Sequence, residues 1–551
     1  MSSKNTEKPL INNDIKYKNL ATNTFYSFLV YYGGHFFAFV HSFLLARLVL
    51  DIYWDYLILA RSYITIIIII TMFLPPGLRF TLSYYIPRYL ALNQKSKIKS
   101  LIKHSFIFKL IFLIPIFLIS ILIISIFSNI FALRLKEKIL LLYIFSPLIL
   151  ITSLNLLLDA INRGFSRFNY LFGLLILRNI IHIIPLLIFL IFDFNVKVEI
   201  IALIVVISLL VPFILNLLFI LVMINKIKSP EIETESFKTT ISKTFKYGRY
   251  TGFIDICDRM WKESQFQGIG VFGPTGAVVG YQIAWNYKDI AIYAPFSFSQ
   301  PLLTSFVSLD TNNNFEQIEK IYRIAHKITL LLIMIISGIL FLSVDFMLDF
   351  FYLETRLIYS ILLKLMVIAT VFKTLDYFLQ TLLKAQNKVK FSFYLRIIFF
   401  SYYIPLFFIG LIYFGVTEAI FFGFIVGNFI STIIQVFVTL KVSKIKLDVK
   451  KLIIQYLTFF IPLIITWILQ DLWFKEISYN ILTGLGLFLI KNFDFLSISI
   501  FLLFFIITNL VFKTVTSEDI DNFKAMLDKT KPFERVVIKI LNVIKKFSRK
   551  D

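Results

Sequence analysis

The sequence predicts an all-α polytopic membrane protein of about fourteen transmembrane helices. These form two six-helix lobes related by a parallel repeat, with two extra helices at the C-terminal end. Three observations lead there. Of 551 residues, 58% are hydrophobic and 16% charged, with a mean hydropathy of +0.82, a balance that excludes a soluble domain. Apolar runs of about 20 residues, the length that crosses a hydrocarbon core as a helix, recur along the chain. Short motifs in the first half also return in the second.

The runs place spans near 22–50, 56–78, 104–131, 138–160, 171–192, 199–222, 248–271, 278–306, 325–348, 358–383, 391–413, 416–441, 450–474 and 495–513. The bridge from Ile477 to Leu489 is too short to cross and reads as an interfacial or re-entrant piece. Lys and Arg, counted loop by loop, set the orientation. Lys4, Lys8, Lys16 and Lys18 precede the first span, Asp51 and Asp55 follow it, and Arg79, Arg88, Lys95, Lys97, Lys99 and Lys103 follow the second. Loops with Arg163 and Arg167, with Lys226, Lys228, Lys238 and Lys243, and with Lys384, Lys388 and Lys390 keep the alternation, from which the Arg134, Lys136, Lys138 loop departs. Both termini are expected in the cytoplasm, with the protein in the cytoplasmic membrane. The polar N-terminus has no apolar core ahead of a cleavage site, so no signal peptide is expected and the first span is its own signal.

The repeat pairs Ala160-Ile161-Asn162-Arg163 with Ala385-Gln386-Asn387-Lys388, each at the cytoplasmic end of a fourth span. It also pairs Pro185 and Val198-Glu199-Ile200 with Pro405 and Val416-Thr417-Glu418. Both halves start on the same side, so the repeats are parallel, an arrangement in which one lobe rocks against the other around a central site. The expected divisions are an N-lobe at 1–228, a C-lobe at 229–446, two added spans within 447–513 and a cytoplasmic tail at 514–551. In that tail Phe533, Val536, Val537, Ile540, Ile544 and Phe547 oppose lysines, as in a basic amphipathic helix lying on anionic headgroups.

The net charge of +23 would suggest nucleic acid in a soluble chain. Here the cations cluster in short loops, where they fix topology and meet anionic lipids, so no nucleic-acid partner is expected. A single cysteine, Cys257, excludes an internal disulfide and a cysteine metal cluster. No catalytic triad or zinc spacing is present, and no cofactor or metal is implied.

The seventh span is too polar for its surroundings. Asp255, Asp258, Arg259, Lys262 and Glu263 fall within it, and a charge in mid-membrane costs about 2.5–3.5 kcal/mol on insertion scales. Asp255, Asp258, Arg259 and Lys262 share one helix face, and Asp255 with Arg259, Asp258 with Lys262 and Arg259 with Glu263 are neighbours four apart. Two readings are open: a hydrated cavity wall that receives a charged ligand or couples to an ion, and a stripe neutralised by its own pairs. Three acids against two bases leave the stripe one charge negative, so an anion would need cations from other spans. Arg47 of the first span, Lys288 of the eighth and Lys373 of the tenth are the candidates, with Asp255, Asp258 and Glu263 setting these side chains or holding a coupling cation. Arg178 and Arg396 read as headgroup contacts, Lys373 and Asp376 as a pair, and His35, His41 and His182 as isolated packed residues. Pro75-Pro76-Gly77 and Pro295 with Pro301 read as breaks in corresponding spans. The glycines from Gly268 to Gly280 read as a hinge or close packing point.

Specific stretches resemble a known family. Leu45-Ala46-Arg47-Leu48, Gly77-Leu78-Arg79 leading to Tyr84-Tyr85-Ile86-Pro87-Arg88-Tyr89, Phe272-Gly273-Pro274 to Val279-Gly280-Tyr281-Gln282-Ile283-Ala284, Ser297 to Pro301, and Ser517-Glu518-Asp519-Ile520 are similar to polysaccharide (O-antigen type) flippases. That family belongs to the multidrug/oligosaccharidyl-lipid/polysaccharide (MOP) exporter superfamily. The resemblance covers essentially the whole chain, although Asp51-Ile52-Tyr53-Trp54-Asp55-Tyr56 stands where the family usually has glycine. It implies twelve to fourteen helices, alternating access and, rather than an enzyme, a carrier of a lipid-linked glycan, expected as a monomer and coupled to Na⁺ or H⁺. Two alternatives stand beside it: a multidrug exporter of the same superfamily, and a membrane glycosyltransferase with Asp51 and Asp55 as its acidic site.

Overall fold

The break predicted at Pro75-Pro76-Gly77 is where the architecture is easiest to enter. A computed structural model of the chain describes residues 13–73, 75, 77–91, 94–131, 138–165, 167–194, 196–226, 235–311, 315–352, 354–386, 388–442, 448–480, 484–512 and 514. The second span is two helices, α2 (Asp51–Phe73) and α3 (Leu78–Ala91), preceded by α1 (Asn13–Leu48). Then follow α4 (Lys95–Phe131), α5 (Leu140–Phe145) and α6 (Leu148–Gly164) as one interrupted span, α7 (Phe168–Ile191) and α8 (Val198–Lys226). The second group runs through α9 (Phe237–Phe272), α10 (Ala277–Thr311), α11 (Phe315–Leu342) and the short α12 (Val344–Tyr352). It continues with α13 (Ser360–Phe372) and α14 (Thr374–Ala385), which meet at Lys373, then α15 (Val389–Tyr413). Next come α16 (Val416–Ile420) and α17 (Gly427–Lys441), joined through a π-helical stretch, Phe421–Val426. Last are α18 (Val449–Asn480) and α19 (Gly484–Val511).

Joining the interrupted pairs, and counting the short α12 with α11, gives fourteen helical runs among the described residues, the number the hydropathy predicts. Ten helices there are long and apolar enough to cross a membrane by length and composition. The protein is a multi-pass membrane protein. Although α9 and α10 are 36 and 35 residues long, they are not among the ten; α9 carries its charges through its middle.

Packing separates the chain into groups. Helix α7 lies against α1 and α8, α6 against α3 and α8, while α10 lies against α11, α13 and α14, and α15 against α16. Between the groups, α9 runs along α2 and α3, and α10 meets α1. The last two helices pair with each other and rest on α11. One apolar cluster continues from Leu44 and Trp54 through Tyr281 and Phe407 to Phe501. Large apolar side chains that remain exposed, including Ile114, Leu118, Ile207, Ile404 and Ile464, suit a surface solvated by lipid.

Two expectations are corrected. Pro295 and Pro301 do not divide their span, since α10 is continuous from Ala277 to Thr311; the neighbouring helices on several sides hold its backbone in place. The bridge at 477–489 is not a separate piece. Its first residues finish α18 and its last begin α19, so the last helix starts at Gly484, ahead of the apolar run near 495. Arg134, Lys136, Asn387 and the tail from 515 lie outside the described residues.

Gly77 shows why the break is tolerated. Its φ is +69°, and a Cβ there would run into the backbone of Gly248, where α3 closes on α9. Gly77→Ala is expected to destabilise the protein by about 1–3 kcal/mol through its left-handed backbone alone, and by more through the collision. Thermal unfolding beside a Gly173→Ala control, where nothing lies within 4 Å of the added methyl, checks this.

Candidate functional site

Helix α9 begins with a cap: the Ser236 side chain accepts the Thr239 N–H at 3.2 Å, which satisfies one of the helix's open amides. Asp255 to Glu263 follow about 19–27 residues further along, roughly 28–40 Å from the cap at 1.5 Å per residue. Their pairing differs from the i,i+4 expectation. Asp255 and Arg259 do meet, at 3.2 Å, but Asp255 also takes Arg79 of α3, at 2.5 Å. Asp258 turns away from Lys262 to Arg396 of α15, at 3.1 Å, and Arg396 in turn reaches Asp376 of α14, at 3.4 Å. Lys262 makes no ion pair among the described residues; its ammonium lies 4.9 Å from the Trp285 ring centroid and 5.9 Å from that of Phe266. The helix is therefore bracketed, one carboxylate held by an arginine of the first group of helices and the next by an arginine of its own.

The surrounding elements add further charge. Lys288 of α10 pairs with Asp289 at 2.8 Å and lies 3.6 Å above the same Trp285 ring, so two lysines share one indole. Lys373, at the junction of α13 and α14, lies within electrostatic reach of Asp258, Asp376 and Asp289 but pairs directly with none of them. Arg61 of α2 stands opposite Glu263, and His35 of α1 lies near Asp289, Lys262 and Lys288, its ring tilted against that of Tyr293 with centroids 4.1 Å apart. Arg61 and Asp258 are exposed, and Arg259 is 42% so, although all lie on helices packed inside the bundle. Their helices are ones through which the two groups meet.

Arg61, Arg79, Arg259, Lys262, Lys288, Lys373 and Arg396 stand against Asp255, Asp258, Glu263, Asp289 and Asp376. Among the described residues, then, seven cations face five carboxylates, an excess of two positive charges. Of the sequence candidates, the structure brings together Arg259, Lys262, Lys288, Lys373, Asp255, Asp258 and Glu263. Arg47 stands apart, exposed on α1 with its guanidinium 4.7 Å from its own Phe43 ring. Arg61, Arg79 and Arg396 are the cations that the sequence reading did not place here. Arg178 is not a simple headgroup contact either, since it lies near Asp159 and Arg61. His41 and His182 are not isolated: their rings are 4.1 Å apart.

Both ends of the α2/α3–α9 seam are closed. Near the α9–α10 turn, Asp55 accepts the Gly276 N–H at 2.5 Å and the Val279 N–H at 2.9 Å, and the Tyr359 hydroxyl donates to the Gly276 carbonyl at 2.8 Å. The glycines here serve close packing: a Cβ on Gly280 would enter the Tyr359 ring, and one on Gly270 the Leu59 side chain. At the other end Tyr89 and Lys243 both reach the buried Glu235. With both Asp55 oxygens occupied by backbone amides, Asp51 and Asp55 do not form an open acidic site. Among the described residues no group of three His, Cys, Asp or Glu side chains could hold a metal.

Solved structures of the same shape can now be compared. An inward-facing multidrug resistance MATE family transporter of the MOP superfamily superposes with a TM-score of 0.63 at 15% identity, over 75% of this chain and 95% of that one. The lipid II flippase MurJ, in an inward closed conformation, gives 0.60 at 14% identity, over 89% of this chain and 98% of that one. The chain shares the fold of these two transporters. A point mutant of a Vibrio cholerae MATE transporter gives 0.57 at 15% identity, over 79% of this chain and 98% of that one. No family model and no curated protein sequence matches the chain. In this fold the charged side chains lie on α2, α3, α9, α10, α14 and α15 and at the α13–α14 junction, where the two groups of helices meet.

Removing Arg396 would leave Asp258 and Asp376 facing one another. Its side chain is 12% exposed and that of Asp376 10%, and breaking such a network from one side costs about 3–5 kcal/mol. Arg396→Gln is therefore expected to lower the thermal-unfolding midpoint sharply. Combining it with Asp376→Asn should recover part of the loss, a cycle read by thermal unfolding of the purified protein.

Proposed function

We propose that the protein is a flippase that carries a lipid-linked oligosaccharide across the cytoplasmic membrane by alternating access, for cell-surface polysaccharide or glycan assembly. The substrate is a glycan on a polyprenyl phosphate or pyrophosphate. The observation that carries this reading is the excess of two positive charges where the two groups of helices meet. An anionic, strongly hydrated headgroup needs such a place while its prenyl tail stays in lipid. Among the described residues Lys262 and Lys373 have no carboxylate in direct contact, and they are the first to meet phosphate. Arg259 adds a planar donor fork, and Lys288 is held back by Asp289. Arg47, exposed and distant from these charges, is left to the membrane surface. Asp255, Asp258 and Glu263 hold the arginines in place or take a coupling Na⁺ or H⁺.

A multidrug exporter of the same superfamily is the alternative, and the MATE likeness keeps it in view. A cationic drug calls for a carboxylate excess, the opposite of the excess found here. Charge reversal at Lys262 or Arg259 is expected to remove flipping of lipid-linked oligosaccharide in proteoliposomes, and complementation of a flippase-deficient strain, with protein still in the membrane. Full activity of both variants, or drug efflux with no glycan phenotype, would overturn the reading.

A further inference from the structure

Interrupting a helix inside a membrane leaves backbone groups open on both sides of the gap. Where α2 stops, Lys109 of α4 closes on it: its ammonium donates to the Thr71 carbonyl at 2.5 Å and lies 3.4 Å from the Thr71 hydroxyl. Capping a carbonyl accounts for where Lys109 points but not for its charge. The residue is 6% exposed, and among the described residues no carboxylate pairs with it. A neutral hydrogen-bonding side chain could cap as well without a buried charge, which is costly when uncompensated.

Lys109 lines a pocket with Gly77, Arg79, Ser153, Gly252 and Asp255. Arg79 supplies a second cation there. One of its terminal nitrogens meets Asp255, yet its buried Nε–H has no acceptor among the described residues. Ser153 adds a hydroxyl 2.8 Å from that of Thr71. Two cations against one carboxylate leave one positive charge over, beside a buried donor without an acceptor. Buried donors in that state are costly, and a group rich in acceptor oxygens would satisfy them.

We propose that this pocket at the break between α2 and α3 is a phosphate-binding site, with Lys109 and Arg79 as its cations and Ser153, whose hydroxyl donates to Thr71, on its wall. It lies on the α4 side of the Arg79–Asp255 pair, apart from the lysines around Trp285. A phosphate entering it competes with Asp255 for Arg79. Occupancy therefore weakens the ion pair that ties α3 to α9 and links ligand arrival to release of that seam. The identification of the phosphate with a transported lipid's rests on the flippase reading; the site itself does not.

The test uses the full-length protein in phosphatidylcholine nanodiscs, with bound lipid read by native mass spectrometry and inorganic phosphate by equilibrium dialysis. The probes are a polyprenyl phosphate, phosphatidic acid and inorganic phosphate. Lys109→Gln is expected to weaken binding at least about tenfold, and Lys109→Arg to stay within about threefold of the parent protein. Ser153→Asp, which supplies a carboxylate beside the lysine, should weaken binding like Lys109→Gln and guards against a loss due only to the missing cap. Binding of the polyprenyl phosphate alone assigns the site to the transported lipid. Equal binding of phosphatidic acid assigns it to lipid phosphates in general, and inorganic phosphate binding as well shows that the free anion suffices. Parent-like binding of all probes by both Lys109→Gln and Ser153→Asp, or no binding by the parent protein, overturns the site. If the parent protein binds through Lys109 but flips no lipid-linked glycan, the flippase reading falls and the site stands. If it flips glycan without any dependence on Lys109 in binding, only the site falls.

Discussion

Reversing either charge of the Arg79–Asp255 pair is expected to abolish transport of the lipid-linked substrate, and reversing both together is expected to restore a large part of it. The pair joins α3 to α9 across the seam between the two groups of helices, at 2.5 Å, with side chains 24% and 21% exposed. Water reaches it in part, so a coupling energy of about 0.5–3 kcal/mol is the appropriate scale. Asp255→Arg should be the more damaging single change, because it crowds a third guanidinium against Arg79 and Arg259. Arg79→Asp sets two carboxylates face to face but leaves Arg259 to answer one of them. In the double reversal the seam pair re-forms with opposite polarity, while Arg259 still loses its carboxylate four residues back; hence restoration is partial. Flipping in proteoliposomes, alongside thermal unfolding of all three variants, measures this cycle. A double variant that is folded yet no more active than the singles would remove the pair from the transport cycle, as would an Arg79→Asp variant with full activity.

The apolar runs were legible in the sequence because length and hydropathy are local properties, and the break after α2 was legible in its two prolines and glycine; α3, which carries Arg79 and Arg88, reads as a loop in the sequence because those charges end the apolar run. What failed was decided by neighbours. Pro295 and Pro301 resemble the prolines of the second span, but α10 has packing partners on several sides and stays whole. The 477–489 stretch reads as short only because Lys491 and Asp494 interrupt the apolar run that α19 carries from Gly484 onward. At the site, the charged face of α9 was legible and its pairing was not. An i,i+4 pair on a helix is worth only about 0.2–0.5 kcal/mol, so Asp258 gives up Lys262 for an arginine that is already buried beside Asp376. Arg396 looked like a headgroup contact because it lies near one end of its span, and nothing in the α15 sequence says that α14 and α9 bring two carboxylates to it. The unpartnered charge of Lys109 could have been noticed as a lone lysine deep in an apolar run.

The two lysines on Trp285 and the closed seam together suggest how a ligand and the fold could communicate, and Asp55 is where the closed state should be easiest to undo. Both of its carboxylate oxygens accept amides at the start of α10, those of Gly276 and Val279, and Gly276 has a φ of +84° that presents its backbone to the carboxylate. In Asp55→Asn one oxygen becomes an amide that faces an N–H as a second donor, so one hydrogen bond is lost and the remaining one is no longer charge-assisted. A change of about 1–3 kcal/mol follows, which moves a two-state equilibrium about 5- to 150-fold. The displaced population should be open at the α9–α10 turn. Cys257, the single cysteine and partly accessible on α9 beside Asp258, reports it without further engineering. An impermeant maleimide applied from the side of that turn should label Asp55→Asn faster than the parent protein, and flipping should fall because the closed state is no longer held. Asp55→Glu, which keeps the charge on a longer arm, should label at an intermediate rate. If Asp55→Asn labels and flips like the parent protein, the amides of α10 are held by the surrounding packing, with Tyr359 on the Gly276 carbonyl, and Asp55 is a helix cap without a part in gating.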